Sequence, residues 1–340
     1  MLQKISEVPT SSGLASRLAL AELERQGIEA EPLLLRSGLA LTAFAQPKRV
    51  SVASQIDFLE LASHATGDEW FGLKLAESFD LREMGMVYYV AASSPTLGDA
   101  LRRVERYIRV GNESLVARVQ GSPICRVSVS HVGISRHKDR QQIEFQLLVI
   151  LRLCRQLVGN RIVPVGVSFV HHRSGDFREV RRKFSCEVQF GADVDEVRLG
   201  ASSLELALAG ADPFLNELMV KNCEEAIASR TPHVHAFRSV VENAIAPLLP
   251  HAEARAKVVA QRLGLSERTF ARRLTAEGLT FAEILDDLRR DLTVRYLKEP
   301  GMQVSQIAWS VGFQHPSALS HACKRWFGTS PSAYRRSVNA

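Results

Sequence analysis

A short unit occurs twice near one end of this 340-residue chain. Residues 258–278 read VVAQRLGLSERTFARRLTAEG, and residues 306–328 read QIAWSVGFQHPSALSHACKRWFG. Each begins with an apolar residue and Ala, then three residues, a Gly and a tight turn. A helix carrying polar and basic residues follows. Ala260 and Ala308 stand 48 residues apart, as do Gly264 and Gly312. In the first copy Ala256, Val259, Ala260 and Leu263 share a helical face, and Gly264 ends the helix. Ser266 is placed to cap a second helix that buries Phe270 and Leu274 and turns Arg268, Thr269, Arg272 and Arg273 outward. In the second copy Ile307, Ala308 and Val311 precede Gly312. Pro316 opens the next helix, where its missing N–H costs little. That helix buries Leu319 and Cys323 and leaves Ser317, Ser320 and His321 outward, with Lys324 and Arg325 near its end. Two short helices around a tight turn make a helix-turn-helix, so two are expected here.

Between the copies Phe281, Ile284, Leu285, Leu288, Leu292, Tyr296 and Leu297 recur at helical spacing. They predict a rod of ~25 Å at about 1.5 Å per residue. Such a rod holds two reading heads about one DNA turn (~34 Å) apart, so both can enter successive major grooves on one face. Arg289 and Arg290, interleaved with Asp286, Asp287 and Asp291, read as the solvated face of the rod. Charge points the same way. Of the net +6, residues 1–235 contribute nothing, balancing 28 Lys and Arg against 28 Asp and Glu, while residues 236–340 carry 15 against 9. A neutral larger part joined to a basic smaller one suggests that the smaller meets a polyanion.

Residues 236–336 resemble the DNA-binding domain of the AraC/XylS family of bacterial transcription regulators. The strings VAQRLGLSERTFARRLTAEGLTF, QIAWSVGF and KRWFGTSPSAYRR carry the resemblance. In the last of these Gly328, Ser330, Pro331, Tyr334 and Arg335 fall where the family has them. The resemblance implies base-edge reading by Arg268, Ala271 and Arg272 in the first head, and by His315, Ser317, Ser320 and His321 in the second. Arg272 is the leading base reader, because Arg pairs bidentately with guanine. Arg273, Lys324 and Arg325 are assigned to phosphates, which add affinity without sequence information. The second head departs from the pattern. Leu319, His321 and Cys323 replace the usual Phe, Arg and Phe, and Gln314 replaces a small capping residue. Looser packing and weaker base reading are expected there. In the first head Arg255 replaces the usual Ser or Thr.

Upstream, helices are expected near 13–26, 31–37, 51–65, 69–79 and 96–109, then strands at 114–120 and 124–131. An apolar-faced helix follows over 140–159, a strand over 163–172, a helix over 175–184, strands at 186–190 and 196–200, and a helix over 212–229. Helices followed by a small, mostly antiparallel sheet indicate an α+β domain, ahead of an all-α domain with two helix-turn-helix units joined by a long helix. LLLRSGL, GDEWFGLKLAE, ASSPTLGDALRRVERY and FSCEVQFGADVDEVRLGASSLELAL make residues 15–225 resemble the arabinose-binding-like sensor domain of the ornithine-utilisation-regulator branch of the same family. The implied division is a sensing and dimerisation domain over 1–228, a linker at 229–237 and a DNA-binding domain over 238–340. The resemblance implies double-stranded DNA, RNA polymerase, a small-molecule effector and a second copy of the chain as partners.

Candidate effector contacts are Tyr88, Tyr89, Arg102 and Arg106. Arg102, Arg103, Arg106 and Arg109 crowd one helix and could cradle an anion. The alternative is a solvated helix whose Leu101, Val104, Tyr107 and Ile108 face the core. Phe214, Leu215, Leu218 and Met219 form a candidate dimer surface. His171 and His172 point to opposite faces of a strand, and His233 and His235 in the linker lack a third ligand, so no metal is expected. No cofactor motif is visible, and no GxSxG, GxGxxG, P-loop or HExxH signals an enzyme. Five scattered cysteines suit a reducing cytoplasm. No apolar run nears the ~20 residues that span a bilayer, and the first residues lack a signal-peptide core. The expected function is an activator of transcription that responds to an effector. The alternatives are a regulator whose first domain binds a protein instead, and an enzyme tethered to DNA.

Overall fold

The computed structural model describes residues 9–41, 49–121, 123–132, 134, 138–159, 162–173, 175–229, 237–298 and 302–338. His233 and His235 fall outside them. The chain forms two compact units, one holding every element up to Ala228 and the other every element from Phe237 onward.

The first unit is α+β. It runs β1 (Thr10–Ser11), α1 (Leu14–Arg25), α2 (Glu31–Ser37), β2 (Val50–Ser51), α3 (Val52–Thr66), α4 (Phe71–Glu77), α5 (Met86–Ala92) and α6 (Leu97–Gly111). Then come β3 (Leu115–Gly121), β4 (Ile124–His131), α7 (Arg140–Val158), β5 (Gly166–Phe169), α8 (Arg178–Phe184), β6 (Val188–Phe190), β7 (Asp195–Gly200) and α9 (Pro213–Ala228). Five strands pair in the order β3-β4-β7-β5-β6, antiparallel throughout except for β5 with β6. Period-two burial orients the sheet: Cys125, Val127 and Val129 of β4 face the core while Arg126 between them is exposed. The expected strand over 163–172 shortens to β5. Pro164 has no N–H to offer, and the N–H of Val170 goes to the Asp195 carboxylate at 2.8 Å rather than to a ladder.

Helix α7 is the axis of this unit, with fifteen of its 19 residues buried. Its polar residues are therefore interior groups that need partners. Arg140 donates to Glu60 at 2.7 Å, and Gln141 donates to Ser63 Oγ at 2.9 Å. His171 Nε2 lies 2.8 Å from Glu144. Gln141 Oε1 accepts from the Gly72 N–H of α4 at 2.8 Å. A Cβ on Gly72 would lie 2.1 Å from the Gln141 carbonyl oxygen, so only glycine admits α4 this close.

The second unit is all-α: α10 (Phe237–Ile245), α11 (Ala256–Arg262), α12 (Glu267–Ala276), α13 (Phe281–Lys298), α14 (Val304–Ser310), α15 (Pro316–Phe327) and α16 (Pro331–Val338). One core joins them. Phe270, Leu274, Ile284, Leu288, Ile307 and Leu319 all belong to it. Cys323, where larger side chains and tighter packing are usual for the resemblance, is fully buried, as is Leu319.

Candidate nucleic-acid interface

Helices α11 and α12 form the first helix-turn-helix. Ala260 is fully buried where they meet, and Gly264 turns the chain at φ 67°. Ser266 caps α12, its Oγ accepting from the Thr269 N–H at 3.2 Å. Phe270 and Leu274 anchor the inner face of α12. Arg268, Ala271 and Arg272, spaced three and four residues apart, therefore share the outer face, and all three are exposed. Neither guanidinium of that set has a partner among the described residues. Arg273 is also exposed but lies over the Phe237 ring, 4.3 Å from its centroid. Arg255, at the start of α11, makes no side-chain capping bond.

Helices α14 and α15 repeat the plan with different attachments. Gln303 and Gln306 form a reciprocal capping box at the start of α14. Pro316 opens α15, preceded by His315, whose side chain makes no capping bond. His315, Ser317 and His321 are exposed. Ser320 is half-buried and donates back to the Pro316 carbonyl at 3.1 Å. Lys324 is exposed and unpaired among the described residues, whereas Arg325 is ion-paired with Asp286 of α13. The same carboxylate accepts from Trp326 Nε1 at 2.8 Å. Of the three phosphate candidates, only Lys324 therefore stands without a partner.

Helix α13 spans 18 residues, about 27 Å at 1.5 Å per residue. Arg289 is not the solvated side chain its acidic neighbours imply. Its Nε donates to the Val311 carbonyl at 3.0 Å and its Nη2 to that of Gly312 at 3.1 Å. The guanidinium also lies 4.7 Å from the Phe313 ring centroid. Burial lowers its pKa below the usual guanidinium value, opposed by the nearby Asp286 charge. Arg335 acts similarly, donating to the Leu297 and Met302 carbonyls at 3.1 and 2.6 Å. The sequence reading also missed Trp309, 58% exposed on α14. Its position in the IAWSVG string outside the buried Ile307, Ala308 and Val311 was the available signal.

In the first unit Tyr88 and Tyr89 lie on α5 and Arg102 and Arg106 on α6. Leu101, Val104, Tyr107 and Ile108 of α6 face the core, so the arginines face out. Arg102 pairs with Asp99 at 2.7 Å and Arg106 with Glu224 at 2.6 Å. The Tyr88 hydroxyl accepts from Gln156 at 2.9 Å, and Tyr89 is exposed.

Two helix-turn-helix units on one core, each presenting its second helix outward, define a DNA-binding regulator of the two-headed type. The family comparisons agree. Residues 27–208 match the arabinose-binding N-terminal domain of AraC transcription regulators, and residues 259–337 match a helix-turn-helix domain. The chain belongs to the AraC family of transcription regulators. It is 30% identical over 296 residues to the regulator VirS of Mycobacterium tuberculosis, covering 84% of each chain. It is 25% identical over 298 residues to the ornithine utilization regulator of Pseudomonas aeruginosa, covering 83% of this chain and 84% of that one. The crystal structure of the regulator CdpR from Pseudomonas aeruginosa matches 95% of this chain and 98% of its own, with 20% identity and a TM-score of 0.48. These families and relatives are transcription regulators, not enzymes.

Proposed function

We propose that this chain is a cytoplasmic, effector-responsive activator that reads DNA with residues 238–340 and senses a small molecule with residues 1–228, across a linker at 229–237. The observation that carries the DNA-reading part is the pair of exposed guanidiniums of Arg268 and Arg272 on the outer face of α12, without partners among the described residues. Arg272, with Arg268 and Ala271, reads base edges in one major groove. His315, Ser317, Ser320 and His321 meet the next groove, and Lys324, Arg273 and Arg325 face phosphates. RNA polymerase is the partner that an activator bound there would recruit.

The sensing part is supported by a pocket of about 100 Å³ in the first unit, partly open at its mouth. A domain that only bound a protein partner would have no need of an interior hollow. Phe214 and Leu218 are 78% and 44% exposed on α9 and form the surface proposed to pair two copies. An effector that favours one arrangement of the pair would then alter how well its DNA-binding units match their half-sites. Selection of bound duplexes from a random pool tests the reading. Two boxes about 10 base pairs apart are expected. Enrichment of no sequence, with binding that simply fades as salt rises, would sink it.

A further inference from the structure

The cavity in the first unit has a built polar side. One stripe of α7 lines it, with Phe145, Val149 and Leu153 alongside Gln142 and Gln146. These positions recur at helical spacing and so share a face. Val104 and Ile108 of α6 and Ala15 of α1 form much of the opposing apolar wall. None of the lining residues carries a charge.

Gln146 stands out among them. It is 7% exposed, and its Oε1 is buried with no hydrogen-bond partner among the described residues. The other polar residues of α7 are engaged, so this is not a general property of the helix. Gln142 Oε1 accepts from Gln55 Nε2 at 2.7 Å, which directs the Gln142 N–H2 elsewhere. Asn112 Oδ1 accepts from the Ser114 hydroxyl at 2.9 Å and from the Ser114 N–H at 3.1 Å. Among the amides of the lining, Gln146 Oε1, itself buried, is therefore the oxygen left without a partner among the described residues, beside the N–H2 groups of Gln142, Gln146 and Asn112. A buried amide without a partner is costly, and persists most readily where something else is meant to meet it.

We infer that this cavity binds an uncharged, largely apolar molecule, about one ring in size, whose single polar head both donates to Gln146 Oε1 and accepts from the neighbouring amides. The inference rests on the sensor reading above and assigns the effector's chemistry. Charge is disfavoured because the uncharged lining offers an entering ion no counter-ion. The size follows from the volume, the same order as the ~150 Å³ cavity that holds benzene. Tyr88, Tyr89, Arg102 and Arg106 do not line the cavity, so none of them recognises this ligand.

The test uses the full-length protein with benzamide, benzyl alcohol and caprolactam as neutral probes and benzoate and benzylamine as charged ones. At about tenfold excess over Kd a neutral probe should raise Tm by ~3 °C. Gln146→Leu should abolish that rise while leaving the free protein at least as stable, because it removes an unpaired amide. Ala15→Leu, which fills the hollow, should abolish it too, whereas Arg102→Ala and Arg106→Ala should not. No Tm rise with any neutral probe, or an equal rise with benzoate or benzylamine, overturns the assignment. Duplex affinity is measured alongside. A probe that binds and is lost in Gln146→Leu, yet leaves duplex affinity unchanged, upholds the ligand assignment and removes the sensor reading instead.

Discussion

In the first helix-turn-helix, a Cβ built on Gly264 would meet nothing within 4 Å, whereas one on Gly312 in the second would lie 2.9 Å from the Leu249 carbonyl. Both glycines have positive φ, at 67° and 80°. The first is required only by its backbone conformation, and the second by conformation and by space. The contrast extends outward from the two turns. Arg289 holds the carbonyls of Val311 and Gly312, and a capping box fixes the start of α14. Among the described residues no comparable clamp holds the turn after α11. Conversely, the first head exposes on its reading face two guanidiniums without partners among the described residues, while the second exposes two histidines and Ser317 there. Rigid attachment and charged reading groups have gone to different heads. On the proposed function, the second head fixes where the unit sits and the first supplies most of the base discrimination.

The largest expected effect is on stability. Gly264→Ala should cost ~1–2 kcal/mol, the strain of a left-handed alanine. Gly312→Ala should cost about 2–5 kcal/mol, because overpacking against Leu249 adds ~1–3 kcal/mol. Denaturant unfolding of the full-length protein measures both, and equal losses would break the contrast. Next comes the clamp. Arg289→Ala leaves two part-buried carbonyls without their donors, a loss of ~2–3 kcal/mol. Arg289→Lys should recover only part of it, since an ammonium lacks the guanidinium fork. Full recovery with Lys would mean that charge, not forked geometry, matters at this site.

Base reading should show the reverse asymmetry. Arg272→Ala is expected to weaken binding to the selected duplex by ~1–3 kcal/mol, roughly 5–150-fold, and to relax sequence preference in one box. His321→Ala should change affinity less than about threefold and leave the other box recognisable. Fluorescence anisotropy on matched and mismatched duplexes separates these outcomes. A larger loss from His321→Ala would reverse the assigned roles.

Much of this was legible before any coordinates. Ser266, Gly264, Gly312 and Pro316 are punctuation whose meaning is local, and the apolar positions of α12, α13 and α15 follow a period that survives into the core. Helix α5 was missed because its seven residues, MVYYVAA, are apolar on every side and show no period. Arg289 was misread because its partners are backbone carbonyls 22 and 23 residues away, and a carbonyl has no sequence signature. The cavity was hidden for a related reason. Gln142 and Gln146 look like the wet side of an amphipathic helix until α7 is seen to be enclosed on nearly all sides. The partners of the α6 arginines were equally hard to see. Their number drew attention, while Asp99 and Glu224, which pair with Arg102 and Arg106, gave no sign of it in sequence.

The smallest effect concerns phosphates and separates Lys324 from Arg325, which are adjacent in sequence and equal in formal charge. Lys324 has no partner among the described residues, so a contact with DNA would release condensed counter-ions in full. Lys324→Ala should then reduce the slope of log K against log salt by ~0.9. Arg325 shares its guanidinium with Asp286, which also holds Trp326 Nε1 at 2.8 Å. Much of its charge is already balanced, and Arg325→Ala should shift the slope by less than half as much. Asp286→Asn sharpens the comparison. It removes the balancing charge but keeps an acceptor for Trp326, so Arg325 should become a stronger phosphate contact and the slope should steepen. Identical slopes for Lys324→Ala and Arg325→Ala would show that Asp286 releases Arg325 when DNA arrives. The ion pair would then be a resting position rather than a fixed part of the second head.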